Sequence, residues 1–297
     1  MPFYSNGNCK VTILSDGTKI RTTEDDEWMP SFAESIDITI TDKCDGNCPY
    51  CYAGCTSDKQ HPDILTDDIR SFVTTLHPFT EVALNGNDMS HPQLVPFLKL
   101  LKKQQVIANI TVSQKHFMKN YEMLVGLQER NLIKGVGISL LNSNDEHFLE
   151  SAYNFKNAVL HTICGILTLK DIENLKKYAS GIRLLLLGFK MNERGKEYYD
   201  SSSLVINKNI KDLPITEMFK MFKCVAFDNL ALEQLDIKSK ISEKMWNEIY
   251  MGDEGEFTYY LNLVDKTFAK SSMEPKENRF PMMASGDLMF EYIRSLK

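Results

Sequence analysis

Between Ile36 and Lys223 the chain repeats one pattern: a short, largely apolar run, a polar turn, then apolar residues at helical spacing. The apolar runs are Ile36–Thr41, Val82–Leu84, Ile107–Ser113, Gly135–Leu141, Ala158–Ile163 and Ile182–Leu187. Thr66 can cap a helix whose apolar stripe is Ile69, Phe72, Val73 and Leu76, the i, i+3, i+4, i+7 spacing of an amphipathic helix. Leu94, Phe97, Leu98 and Leu101 repeat that stripe, and further helices are expected through Tyr121, Leu124 and Val125, near Glu146–Tyr153, near Asp171–Tyr178 and near Thr216–Lys223. Near-continuously apolar strands suit a parallel sheet buried on both faces, and parallel neighbours need helical crossovers. About six such units curl into a barrel or part of one, with chemistry at the C-terminal strand ends. The expected class is α/β, a partial (β/α)6 TIM-like barrel.

Both ends depart from this rhythm. Cys9–Thr23 forms two alternating segments around Asp16-Gly17, a strong hairpin signal. Beyond Cys224 the run to Asn229 suits a further strand, Leu230–Tyr250 is helical in tendency, and Asp287–Lys297 should close the chain as a helix. Phe257–Val264 is rich in strand formers and could cover the strand ends or offer an edge to an extended peptide. The expected division is an N-terminal β-hairpin extension (1–34), a core barrel (35–229) and a mixed α/β C-terminal extension (230–297) packed on the barrel mouth.

The loop after the first apolar run reads KCDGNCPYCYAGC, Lys43–Cys55, and holds four of the seven cysteines. No apolar run reaches the length of about 18 residues that spans a bilayer, and the N-terminus lacks the regions of a secretory signal. A cytoplasmic setting is therefore expected. Thiols stay reduced there, so this cluster reads as metal or redox chemistry rather than a disulfide framework. A net charge of −6 gives no general attraction for polyanions, and bulk nucleic-acid binding is not expected. Lys99, Lys102 and Lys103 read as the solvated face of a helix.

Two metal chemistries suit the loop. With Cys55 included, C-x3-C-x2-C-x3-C offers four thiolates, the ordinary composition of a closed structural zinc site. Cys44, Cys48 and Cys51 alone can hold three irons of a cubane cluster and leave the fourth open to a small ligand. In this spacing, directly after the first core strand, the chain resembles the radical S-adenosylmethionine (SAM) superfamily. That resemblance implies a [4Fe-4S] cluster on Cys44, Cys48 and Cys51, with SAM chelated at the open iron. Reductive cleavage would give a 5′-deoxyadenosyl radical that abstracts a hydrogen atom from a substrate. It also implies an external donor such as a flavodoxin or ferredoxin. The substrate is not readable; a small molecule or a peptide both suit. No cysteine follows Cys224, so no C-terminal auxiliary-cluster domain is expected in this chain. A regulator that binds SAM without turnover and a zinc-stabilised interaction protein are the rival classes.

The resemblance reaches other positions. Asn85, Gly86, Asn87 and Asp88 stand where the superfamily carries a Gly-Gly-Glu type motif that contacts the SAM amino group. Gly86 fits, whereas Asn87 replaces the carboxylate with a neutral group. Ser113 and Gln114, and Ser139, fall where contacts to the methionine carboxylate and ribose are placed. Ile166 and the Tyr50 backbone are the counterparts of adenine contacts. Cys55 is expected not to ligate the SAM-binding iron and to be a free thiol near the cluster mouth, a hydrogen-atom donor, or a transient ligand that protects the SAM-free cluster. Lys190 and Arg194 could grip a substrate carboxylate or phosphate. Asp228, Asn229, Glu233 and Gln234 could bind substrate or cap a helix. His161 reads as a core histidine, and Cys9, Cys164 and Cys224 as small buried hydrophobes.

Overall fold

A computed structural model describes residues 2–296. The N-terminal segment is a three-stranded antiparallel sheet of β1 (Phe3–Asn6), β2 (Cys9–Ile13) and β3 (Lys19–Thr22). The expected hairpin is β2–β3, turned at Gly17 with φ +92°. The additional β1 is too short and too polar for alternation to show, and Asn6 anchors it instead. Its buried amide donates to Phe32 O at 2.8 Å and accepts from Ser31 N at 2.8 Å and Phe32 N at 3.0 Å. Arg21 grips Glu34 with two bonds of 2.9 Å, while Lys19 reaches Glu81 at 2.7 Å, which ties this sheet to the larger one.

The main sheet contains β4 (Ser35–Thr39), β5 (Glu81–Asn87), β6 (Ile107–Ser113), β7 (Val136–Ser139), β8 (Ala158–Ile163), β9 (Arg183–Leu187), β10 (Cys224–Phe227), β11 (Thr258–Asn262), β12 (Thr267–Ala269) and β13 (Phe280–Pro281). Its order is β10-β9-β8-β7-β6-β5-β4-β11-β12-β13. From β4 to β10 each strand lies parallel to its predecessor, β11 lies parallel to β4, and β12 and β13 are antiparallel. The parallel run therefore exceeds the six expected strands, because the short Cys224–Phe227 run joins it and Phe257–Val264 supplies a strand for the free edge of β4. The sheet is open, with β10 and β13 at its edges.

The sheet curls strongly. Seven strand spacings separate β9 from β12, about 34 Å if laid flat. Yet Lys190, just beyond β9, donates to Ser272 Oγ, just beyond β12, at 3.0 Å. Burial alternates along β5 and β6, where Val82, Leu84, Ala108, Ile110 and Val112 pack against helices. The intervening positions, Asn109, Thr111 and Ser113 among them, are reached by solvent on the inner face. This differs from the expectation of strands buried on both faces: the concave side is polar and open.

Two helical readings change. The expected sixth helix, Ile215–Met221, is preceded by a 19-residue helix, Arg194–Asp212, that begins within the polar loop. Apart from Gly195 and Ile206 none of its residues is buried, so it has no apolar stripe to announce it. A short helix at Gln114–Lys119 directly follows β6. Cys9 and Cys164 are buried as expected, but Cys224 is exposed on the edge strand β10. Among the described residues no helix is long and apolar enough to cross a membrane.

Candidate functional site

The cysteine loop leaves β4 under close constraint. Asn85 accepts from Ile40 N at 2.8 Å, and Asn87 donates to Thr41 O at 2.8 Å and Lys43 O at 3.1 Å. The far end is sewn back by Cys44 N to Thr56 O at 3.0 Å and Thr56 N to Asp42 O at 3.1 Å. A loop closed this way holds its internal side chains in a fixed arrangement, as a multi-thiolate site requires. Asn87 adopts φ +47°, a conformation that asparagine tolerates better than most residues.

Within the loop, Gly46 makes room for two sulfurs. A Cβ built there would lie 3.2 Å from Cys44 Sγ and 3.8 Å from Cys48 Sγ. Burial pushes the Cys44 thiol up to about 11 and raises Cys48 as well. Cys51 behaves oppositely: its pairing with the buried Cys55 thiol holds it below the ordinary thiol range, and the same pairing together with burial pushes Cys55 up. Asn87 Nδ2 also approaches Cys55 Sγ at 3.6 Å. All four loop cysteines are free of disulfide bonds. Among the described residues no three His, Cys, Asp or Glu side chains converge as ligands of a single ion. A cubane asks for wider spacing, with one thiolate per iron.

Beneath the loop lies a pair that the sequence reading did not single out. His116 is fully buried, its Nδ1 2.8 Å from Ser113 Oγ and its Nε2 bonded to Asp45. Ser113, expected to touch cofactor, thus orients His116 and caps the Gln114–Lys119 helix. The only sequence signal was a histidine three residues after a strand-end serine. Gln114 is likewise engaged, accepting from Leu141 N at 2.9 Å and Asn142 N at 2.8 Å.

Across the mouth, the start of the Arg194–Asp212 helix abuts the cysteine loop. Arg194 donates from Nε to Cys48 O at 3.1 Å and from Nη2 to Cys55 O at 3.0 Å. Gly195 is required by its own loop, since a Cβ there would lie 2.3 Å from Lys190 O; Tyr50 O of the cysteine loop would be 3.6 Å away, an ordinary contact distance. The Tyr50 ring meets Tyr198 edge to face at 5.6 Å.

The remaining candidates fall into two groups. Gly86 faces β6, where a Cβ would lie 2.5 Å from Ile110 Cγ1, so packing already accounts for it. Asp228 caps the Asn229–Gln234 helix through Ala231 N and also accepts from Gly188 N, both at 2.8 Å. Asn229 reaches Gly252 O at 3.3 Å, and Gln234 makes two bonds to the Phe189 backbone. Ile166 sits in the tight turn after β8, and Ser139 pairs in register with His161. These engaged groups shape the mouth. The open group comprises His161 on β8 and Lys190, and Asp37 on β4, which no sequence pattern marks, joins them.

His161 is only partly buried, and its ring lies over bare Gly137, where a Cβ would be 2.3 Å from Cε1. Burial, and then Lys190, holds it down to about 4, so the imidazole is neutral at physiological pH. Asp37 is exposed to the space of the mouth, yet the protein walls crowding it exclude enough water to raise its carboxyl, against the opposing pull of Lys190. Burial works to lower Lys190 too, but Tyr52, Asp228, Asp37 and Glu254 together keep it above its ordinary value. Its ammonium sits 4.4 Å from the Tyr52 ring centroid. Beside Tyr52 a cavity of about 230 Å³ is lined by Thr39, Ala53, Tyr260, Ser272 and Arg279 among others.

No known protein-family profile matches the chain, and no curated protein matches it. Among solved structures, it is similar to Streptococcus suis SuiB bound to precursor peptide SuiA, with TM-score 0.53 and 12% identity. That superposition covers 82% of this chain and 60% of SuiB, so the chain spans about 60% of that protein's length. At this identity the likeness shows the fold. MGS-M4, an aldo-keto reductase enzyme from a Medee basin deep-sea metagenome library, aligns over 80% of this chain and 93% of its own at 10% identity. Its TM-score of 0.29 is too low to carry an argument.

Proposed function

We propose that this chain is a radical SAM enzyme. The observation that carries the reading is the C-x3-C-x2-C loop itself, leaving the first strand of a parallel run with two of its sulfurs gathered around bare Gly46. Cys44, Cys48 and Cys51 would each hold one iron of a [4Fe-4S] cluster, and Cys55 would remain a thiol beside Cys51. When bound, such a cluster would supply the single electron needed to break the sulfonium S–C5′ bond of SAM, leaving methionine and a 5′-deoxyadenosyl radical able to abstract a hydrogen atom from substrate.

The chain's own residues prepare that site. Asn85 and Asn87 fix the loop to β5, and the His116–Asp45 pair supports it from below. The Tyr50 backbone, Ser139 and Ile166 remain the SAM contacts of this reading. Asp37, His161 and Lys190 would meet substrate on the concave face, where a neutral imidazole and a charged ammonium suit a hydrophilic group. A peptide substrate is supported by the shared fold with SuiB, a protein captured with a precursor peptide. A flavodoxin- or ferredoxin-type protein in the cytoplasm would supply the electron.

Anaerobic purification followed by iron and sulfide analysis tests the reading. About four irons and four sulfides per chain are expected. One zinc per chain with neither iron nor sulfide would overturn it in favour of a closed four-cysteine site.

A further inference from the structure

Arg194 is committed elsewhere than the substrate role its sequence position suggested. One guanidinium bridges the carbonyls of Cys48 and Cys55, 3.1 Å and 3.0 Å away, across the segment that carries Cys51. The fork geometry of arginine suits two acceptors held at a fixed separation, and a lysine ammonium reproduces the charge without the fork. Both acceptors belong to the loop, and the donor belongs to a helix about 140 residues away in sequence, so the contact joins two segments of the mouth that are distant in the chain. Neighbouring features mark the same approach: Gly195 lies in ordinary contact range of Tyr50 O, and the Tyr198 ring meets Tyr50 edge to face.

We infer that Arg194 is a positioning residue that clamps the cysteine loop and makes the cluster easier to reduce. This rests on the cluster reading above. Three thiolates give a [4Fe-4S]2+ centre a net negative charge, and reduction adds another. A cation hydrogen-bonded to the backbone on both sides of Cys51 stabilises the more negative state, and more strongly in a partly buried mouth than in water. The charge would set the potential, while the two directed bonds would set the order of the loop.

Arg194→Gln and Arg194→Lys separate these contributions. Amide hydrogen exchange of residues 44–56, measured on iron-free protein, reads the clamp. Iron content and the midpoint from a dithionite-poised EPR titration read the charge. Arg194→Gln should exchange at least threefold faster in the loop and shift the one-electron equilibrium at least tenfold toward the oxidised cluster, about 59 mV. Arg194→Lys should show the faster exchange but keep its midpoint near that of the wild type. Wild-type exchange in both variants would overturn the clamp, and an unchanged midpoint in Arg194→Gln would overturn the electrostatic role. Circular dichroism confirms folding; if Arg194→Gln fails to fold, the Arg194→Lys exchange decides the clamp and its midpoint decides whether charge suffices. A wild-type chain that takes up no iron or sulfide would refute the cluster reading, with the exchange comparison still deciding the clamp.

Discussion

Asn87 stands where the superfamily resembled carries a carboxylate, so Asn87→Asp would move the chain toward that pattern. The structure predicts damage. Asn87 donates through Nδ2 to Thr41 O at 2.8 Å and Lys43 O at 3.1 Å, and an ionised carboxylate has no hydrogen to give either. Each lost bond is worth about 1 kcal/mol, and setting a carboxylate against two carbonyl oxygens adds repulsion, so a total of about 2–4 kcal/mol is expected. Thr41 O keeps a longer bond from Asn85 at 3.4 Å, which moderates the loss. The backbone is not the cause, since aspartate accepts the same left-handed conformation. Urea unfolding of the iron-free protein should show a lower midpoint with an unchanged slope. The deficit should shrink toward acid pH, where a protonated carboxyl regains one donor. A variant within about 0.5 kcal/mol of wild type at neutral pH, the usual range for a neutral surface change, would refute this account of the loop.

Other perturbations probe separate parts of the account. Cys55→Ala should retain nearly full iron while Cys51→Ala loses most of it, by iron analysis after anaerobic reconstitution; equal losses would make Cys55 a ligand. Arg21→Met should cost about 3 kcal/mol in urea unfolding, because it leaves Glu34, 1% exposed, with Lys19 at 3.5 Å as its remaining charged partner. His91 accepts from Gln93 N at 3.1 Å, and burial followed by His61 holds it down to about 4. The unfolded chain binds that proton from about pH 6.5 downward, so stability is lost as pH falls from about 6.5 to 4, by about 3 kcal/mol at most. His91→Gln should flatten that part of the stability–pH curve.

The strands were the most legible part of the fold. Ile107–Ser113 and Ala158–Ile163 are strands over the full expected ranges, because apolar β-branched runs leave little alternative. Val82–Leu84 was read too short. Asn85, Gly86 and Asn87 are turn formers, yet β5 runs through them with a register shift at the end, and tertiary bonds to the cysteine loop explain how. The Arg194–Asp212 helix was illegible for the opposite reason, since an element exposed nearly all round shows no periodicity, and Leu204 is 86% exposed.

At the site, the cysteine spacing carried the chemistry, whereas the partners that hold it did not show. Arg194 to Cys55, His116 to Asp45 and Asn87 to Lys43 are contacts between distant segments, and no local pattern encodes them. The sequence marks Arg194 as a substrate grip in the loop after the sixth apolar run and Asn87 as the counterpart of a SAM-contacting motif, and only the curl of the sheet decides that they face the cysteine loop.

The central claim is reductive cleavage of SAM at the cysteine loop. Its most direct test is quantification of 5′-deoxyadenosine by mass spectrometry after iron-loaded protein is incubated anaerobically with SAM and dithionite. The account predicts 5′-deoxyadenosine from the wild type and none above background from a Cys44→Ala, Cys48→Ala, Cys51→Ala triple variant. Iron-loaded wild type that yields no more than the triple variant would contradict it.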